Sequence, residues 1–141
     1  INPAPLLSNA DWIALFVFCI GLAGSALADI HLARFKQNGP TGQVCNTGLW
    51  SWSRHPNYFF EWLVWVAFAL FAINIAGDWN WGYVALIGPA CMYWLLRYVS
   101  GVPPLEEHML AKYGAAYATY QTSTNVFFPL PPSQPPRHAS Q

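Results

Sequence analysis

Apolar residues run through this chain in long blocks rather than in the strict alternation of a half-buried strand, and single charged residues punctuate the blocks. Residues 12–28 lie between Asp11 and Asp29, residues 62–77 between Glu61 and Asp78, and residues 79–96 between Asp78 and Arg97. Crossing ~30 Å of hydrocarbon takes about 20 mostly apolar residues in a helix. Each block is slightly short for that. The second lengthens to 56–77 if its helix begins at Pro56, because proline suits the first helical position, where its missing N–H is not needed. The third holds Gly88-Pro89, which predicts a kink, since proline removes a backbone bond and crowds the preceding turn. Asp78-Trp79-Asn80 leaves room only for a tight turn, so the second and third helices are expected to form an antiparallel hairpin.

Beyond the third block, Ser100-Gly101-Val102-Pro103-Pro104 breaks the helix. Leu105, Met109, Tyr113, Ala116, Tyr117 and Tyr120 then recur at helical spacing and predict one amphipathic helix. Its aromatic stripe either lies in a membrane interface or closes over a pocket. From Pro129 onward five prolines fall in thirteen residues, which predicts an extended or disordered tail. The expected architecture is all-α: a polytopic membrane bundle of three transmembrane helices plus a cytoplasmic amphipathic helix over residues 1–128, with a Pro-rich tail at 129–141.

Composition agrees with a bilayer. The chain is 55% apolar and only 9% charged, against ~25% charged in soluble proteins. Its 8 Trp, 7 Tyr and 9 Phe are the rings that collect at membrane–water boundaries. Six Lys+Arg cancel six Asp+Glu, so no basic surface exists to hold a nucleic-acid backbone. Arg34, Lys36 and Arg54 fall between the first two blocks, and Arg97, Lys112 and Arg137 follow the third. All six therefore share one side, and the positive-inside rule places residues 29–55 and the C-terminal stretch in the cytoplasm. Ala26-Leu27-Ala28 resembles a signal-peptide cleavage site, but no positively charged region precedes it. The chain starts at Ile1, and the expectation is that it is the C-terminal part of a longer protein.

Cys19, Cys45 and Cys91 match neither a zinc spacing nor a redox pair, and His31, His55 and His108 form no metal motif, so no metal is expected. No Rossmann, Walker, G-x-S-x-G or H-E-x-x-H pattern occurs. The densest polar run is Arg54-His55-Pro56-Asn57-Tyr58, followed by Glu61, at the start of the second helix. A helix N-terminus already favours anions, and Arg54 with His55 adds charge there. Asn57 and Glu61 stand four apart, which puts an amide and a carboxylate on one helix face just inside the membrane boundary. Intramembrane ionisable groups are functional by default, although Arg54 snorkelling to lipid phosphates and Glu61 pairing with a nearby base would also satisfy them. Asp29, His31, Arg34 and Lys36 form a second polar cluster and Glu106-Glu107-His108 a third. The first reads equally as a membrane anchor and the other as a helix-dipole partner. The topology places all three clusters on one cytoplasmic face, around one pocket.

Arg54-His55-Pro56-Asn57-Tyr58 with Glu61, then Ser100-Gly101-Val102-Pro103, Glu106-Glu107, Tyr113-Gly114, Tyr117, Tyr120 and Phe128-Pro129, resembles the C-terminal half of the steroid 5-alpha-reductase-like family, in its DUF1295 branch. The resemblance covers about residues 25–132. Asp29 and Phe35 also resemble a family element, with His31 where glutamine is usual and Phe60 where glycine is common. The resemblance implies an integral membrane oxidoreductase that uses NADPH to reduce a carbon–carbon double bond of a lipid or steroid-like enone. It implies that Arg54 and His55 contact pyrophosphate or ribose, and that Asn57, Tyr58 and Glu61 surround the nicotinamide half. Arg34 and Lys36 would meet the adenosine phosphate, with Asp29 and Glu106 in support. The proton-donating groups of the family lie in its N-terminal half, so no catalytic residue is assigned here, and that half of the same protein is an expected partner alongside the lipid bilayer and a hydrophobic substrate. The related isoprenylcysteine carboxyl methyltransferases share the Arg-His-Pro-x-Tyr run but bind S-adenosylmethionine. A non-catalytic lipid-binding module is the third reading.

Overall fold

The computed structural model describes residues 7–76 and 80–133, which fold as helices α1 (Asn9–Asn38), α2 (Leu49–Trp52), α3 (Pro56–Ala76), α4 (Ile87–Trp94), α5 (Val102–Tyr113) and α6 (Ala115–Ser123). Among the described residues there is no strand, only an isolated bridge between Ser53 and Asn125. The fold is all-α, as expected.

Helix α1 begins where Ser8 and Asp11 cap each other reciprocally, so two of the orphan N–H groups of the first turn are satisfied. It runs 30 residues, about 45 Å at 1.5 Å per residue. The polar stretch after Ala28 is therefore helical for a further ten residues. Nothing between Asp29 and Asn38 breaks the backbone ladder, and the helix stops only at Gly39-Pro40.

Every buried residue of α1 is small: Ala14, Gly21, Gly24 and Ala28. They form one stripe against which α3 packs, the arrangement that lets two helices approach closely where lipid removes the hydrophobic drive. A Cβ at Gly21 would meet Val64 Cγ2 at 2.8 Å, and one at Gly24 would run into the Phe60 ring. Large apolar side chains of α1, among them Trp12, Phe16, Leu22 and Leu27, face outward.

Helices α1 and α3 are both long and apolar enough to cross a membrane. Only 22% and 17% of their apolar windows are covered by the rest of the protein, whereas the core helix of a soluble domain is mostly buried.

The third block departs from the single kinked helix expected over residues 79–96. A 3₁₀ helix at Asn80–Leu86 leads into α4, and a π-helical turn at Leu95–Val99 follows. The change from 3₁₀ to α places Pro89 in the first turn of α4, where its missing N–H leaves no bond unmade. The π turn is closed by the Ser100 N–H donating to Leu95 O at 2.9 Å. Trp62 Nε1 donates to Pro89 O at 3.0 Å and ties α3 to α4. The expected turn at residues 78–80 lies mostly outside the described residues.

The amphipathic helix expected over 105–120 is two helices. Gly114 separates α5 from α6 at φ +55°, a left-handed conformation open to glycine and strained for other residues. After α6 the chain turns back along α2: Arg54 N donates to Asn125 O at 2.8 Å, Ser53 Oγ to Phe127 O at 2.8 Å, and Leu130 N to Trp52 O at 3.1 Å. These bonds, with Phe127 buried among Phe59, Trp62 and Tyr93, hold the chain to the body past Phe128. Residues 134–141, most of the expected Pro-rich tail, lie outside the described residues.

Candidate functional site

The local path from α2 into α3 sets up the site. Tyr120 Oη donates to the carbonyls of Trp50 and, at 3.3 Å, of Ser53, while Trp50 Nε1 donates to Ala28 O of α1 at 3.1 Å. Three elements are thus pinned around the Ser53-Arg54-His55 segment. Ser53 is fully buried, and its hydroxyl accepts from His55 N at 3.1 Å while donating to Phe127 O. Burial pushes the Tyr117 and Tyr120 phenols above their ordinary range, so both stay protonated donors.

At the centre of the polar network stands Glu106, in the first half of α5. Its Oε1 lies 3.0 Å from His55 Nε2 and 3.0 Å from Arg54 Nε, and it accepts from Tyr117 Oη at 3.4 Å. Its Oε2 accepts from Gln121 Nε2 at 3.0 Å. Burial alone would raise the Glu106 carboxyl, but the hydrogen bond from His55, the Arg54 charge and the bond from Gln121 outweigh it and hold the group below its ordinary value. Arg54 is close to Glu106 as an ion pair but is not aligned with it as a hydrogen bond, and its Nη1 donates to Gln121 O at 3.0 Å. His55 is only 2% exposed and stacks on Tyr58, with ring centroids 5.4 Å apart. Its Nδ1 is buried and has no partner among the described residues, a condition that costs about 1 to 3 kcal/mol for a polar atom.

Beside this network lies a cleft with a cavity volume of about 100 Å³. Arg54, His55 and Asn57 line it, with Lys36 and Cys45 from the α1 side and Leu105, Met109, Tyr113, Tyr117 and Tyr120 from α5 and α6. The aromatic stripe of the C-terminal helices therefore closes over a pocket. Burial pushes the Cys45 thiol up, against the pull of its Thr47 hydrogen bonds and Lys36, so it is an apolar wall there rather than a nucleophile.

The three polar clusters of the sequence meet only in part. Lys36, Arg54, His55 and Asn57 line the cleft. Asp29 is reached through Asn57, whose Nδ2 donates to Asp29 Oδ1 at 3.2 Å, and Glu106 acts through His55 and Arg54. Arg34, Tyr58 and Glu61 are not in the lining. Glu61, expected to be a buried carboxylate, is exposed on α3 and makes no hydrogen bond or ion pair among the described residues. Asn57 lines the cleft and donates to Asp29 of α1, while Glu61, one helical turn further along the axis, falls outside the lining.

His31 pairs with Thr47 Oγ1 at 3.1 Å and sits against Gly48, away from His55, and no group of three His, Cys, Asp or Glu among the described residues stands close enough to hold a metal ion. Sequence reasoning missed Ser53 and Gln121. Both are neutral: Ser53 stands beside Arg54 in the chain, and the turn from α5 into α6 brings Gln121 to Glu106.

With that geometry in hand, the chain belongs to the DUF1295 family: the family model, described as a protein of unknown function, matches residues 1–124. It is similar to an uncharacterized protein of Schizosaccharomyces pombe, 38% identical over 139 residues that cover 84% of this chain and 39% of the relative. The chain thus spans about two fifths of the length of that curated relative. No solved structure matches it.

Proposed function

We propose that the cleft holds part of NADPH and that the protein is a membrane reductase of carbon–carbon double bonds in lipid or steroid-like enones. The observation that carries this reading is the convergence of Lys36, Arg54, His55 and Asn57, from two separate stretches of chain, on one mostly apolar cleft at the polar ends of two apolar helices. The residues fit one portion of such a cofactor. Lys36 and Arg54 suit a phosphate, and the polar atoms of His55 and Asn57 suit a ribose or an amide.

About 100 Å³ is less than the 300 to 1,000 Å³ of whole-ligand pockets, so the remainder of the molecule lies across the cleft mouth or against the N-terminal half of the same protein. NADPH supplies a hydride when bound. The residues of this chain bind, orient and exclude water, and a substrate proton donor belongs to the part of the protein upstream.

One observation favours S-adenosylmethionine and the methyltransferase reading: Glu106 already neutralises Arg54, which leaves Lys36, among the described residues, as the unpaired cation of the cleft. Calorimetry on the purified protein in detergent separates the two. Heat of binding from NADPH and none from S-adenosylmethionine is expected, and the opposite result overturns the reductase reading.

The protein is proposed to be multi-pass, with the 29–55 stretch and the C-terminal helices in the cytoplasm. Its third crossing would be the 3₁₀ helix of 7 residues, the 8 of α4 and the π turn. The first two parts rise about 26 Å at ~2.0 and ~1.5 Å per residue, and the π turn completes a span of the hydrocarbon core.

A further inference from the structure

The strap of chain that returns after α6 has its backbone donors accounted for although it forms no helix. Between residues 129 and 133, three positions are proline, which has no N–H, and the other two donate: Leu130 N to Trp52 O at 3.1 Å and Ser133 N to Ser123 O at 3.1 Å. Leu130 O accepts from Asn125 Nδ2 at 3.4 Å. The apolar side chains of the strap nevertheless face outward. Phe128 and Leu130 are exposed, and so is Trp52, whose carbonyl holds Leu130.

Ring contacts carry this surface on to the end of the proposed third crossing. Phe128 meets Tyr93 with centroids 5.9 Å apart, and Tyr93 meets Tyr98 at 6.2 Å. The Arg97 guanidinium lies over the Tyr98 ring, 4.7 Å from its centroid, where the ring face attracts a cation. Arg97 makes no ion pair among the described residues. It stands in the last turn before the chain breaks at Ser100 and Gly101, a place from which a long basic side chain reaches headgroup depth.

Non-helical backbone is costly against lipid where its N–H groups lack partners, and amphipathic rings collect at the membrane boundary. The strap removes that cost through its prolines and its two bonded donors. An exposed apolar surface that ends in one uncompensated guanidinium complements an amphiphile with acyl chains and a phosphate.

We propose that the strap and the end of the third crossing form a seat for an anionic phospholipid of the cytoplasmic leaflet, with Trp52, Phe128 and Leu130 against the upper acyl chains and Arg97 on the headgroup phosphate. With no acid paired to Arg97 among the described residues, the seat favours a net negative headgroup over one that carries its own cation. The inference rests on the chain crossing the membrane as proposed, and is independent of the cleft and its cofactor.

The test uses the full-length protein in vesicles of phosphatidylcholine mixed with phosphatidylglycerol. A nitroxide at Leu130→Cys, in a background without native cysteines, is expected to collide more with oxygen, which concentrates in lipid, than with a water-soluble nickel chelate. Native mass spectrometry of protein released from the same vesicles is expected to show phosphatidylglycerol retained over phosphatidylcholine. Arg97→Gln should lower that preference about fivefold, the effect of one basic residue at an anionic surface. Nickel exposure at position 130 overturns the inference, and so does shielding from both reagents, which would mean that protein covers the strap. Equal retention of the two lipids, or an unchanged preference in Arg97→Gln, overturns it as well. If that variant fails to fold, wild-type retention and the label at position 130 decide. A nitroxide at Phe16→Cys, outward on α1, separates this inference from the spanning topology. Nickel exposure there sinks both, whereas oxygen exposure at position 16 with nickel exposure at position 130 sinks the lipid seat alone.

Discussion

The Phe60 ring of α3 lies directly on the backbone of Gly24 in α1, so that any side chain at position 24 would enter the ring. At position 60, where the family resemblance leads to an expected glycine, stands Phe60, and the close approach of the two helices is provided by Gly24 of α1. Gly24→Ala is expected to destabilise the protein by about 1 to 3 kcal/mol through overpacking. Phe60→Ala in the same chain should recover part of the loss, and the coupling is read from thermal melts of the single and double variants. Simple additivity would mean that the two residues do not share a contact.

Acid stability should depend on Glu106. Its carboxyl is held below the ordinary value of 4.5 by His55, Arg54 and Gln121 against the effect of burial. The folded state therefore prefers the carboxylate more than the unfolded chain does, and this contribution is fully present above the ordinary value and lost as the pH falls through the lowered one. Melting temperature should drop on acidification through that range. Glu106→Gln should cost about 1.5 to 3 kcal/mol at neutral pH and show a shallower acid dependence. An identical pH slope in the two proteins would remove Glu106 from its place at the centre of the network.

Among the residues expected to meet the cofactor, the cleft divides Lys36 and Asn57 from Arg34 and Glu61. Lys36→Ala is expected to weaken NADPH binding by about 1.5 to 3 kcal/mol, and Asn57→Ala by about 1 to 3 kcal/mol. Arg34→Ala and Glu61→Gln should leave the affinity within a few tenths of a kcal/mol, as surface changes do. Titration calorimetry on the four variants checks the division, and a loss confined to Arg34→Ala and Glu61→Gln would move the site off this cleft.

Topology can be read directly. In a chain without its native cysteines, Pro40→Cys and Asn80→Cys should react with an impermeant thiol reagent from opposite sides of a sealed membrane, position 40 from the cytoplasm. Reaction of both from one side would mean that α3 does not cross.

The long helices were legible because a bilayer rewards unbroken apolar length, which is local information. The cleft was partly legible for the same kind of reason: Arg54, His55 and Asn57 stand within four residues, and a helix start holds such neighbours together whatever surrounds it. Lys36 was reachable through charge patterning. Ser53 and Gln121 were not, since a serine and a glutamine carry no signal until α6 sets Gln121 beside Arg54 and the chain after it sets Phe127 beside Ser53. Glu61 is exposed and stands outside the lining. Helical spacing gave its face relative to Asn57 but not which neighbour that face would meet.

By itself the sequence determined the all-α class, the apolar lengths of α1 and α3, the start of α3 at Pro56 and the polar run at its head, because each follows from the composition of a single contiguous segment. Tertiary structure alone decided the rest. It drew the third block as 3₁₀, α and π turns in succession. It also bent the C-terminal helix at Gly114 and chose Glu106 and Asp29 as the carboxylates that hold His55 and Asn57. Those outcomes depend on which distant groups satisfy each buried donor and acceptor, and that is fixed by how the segments meet rather than by what each contains.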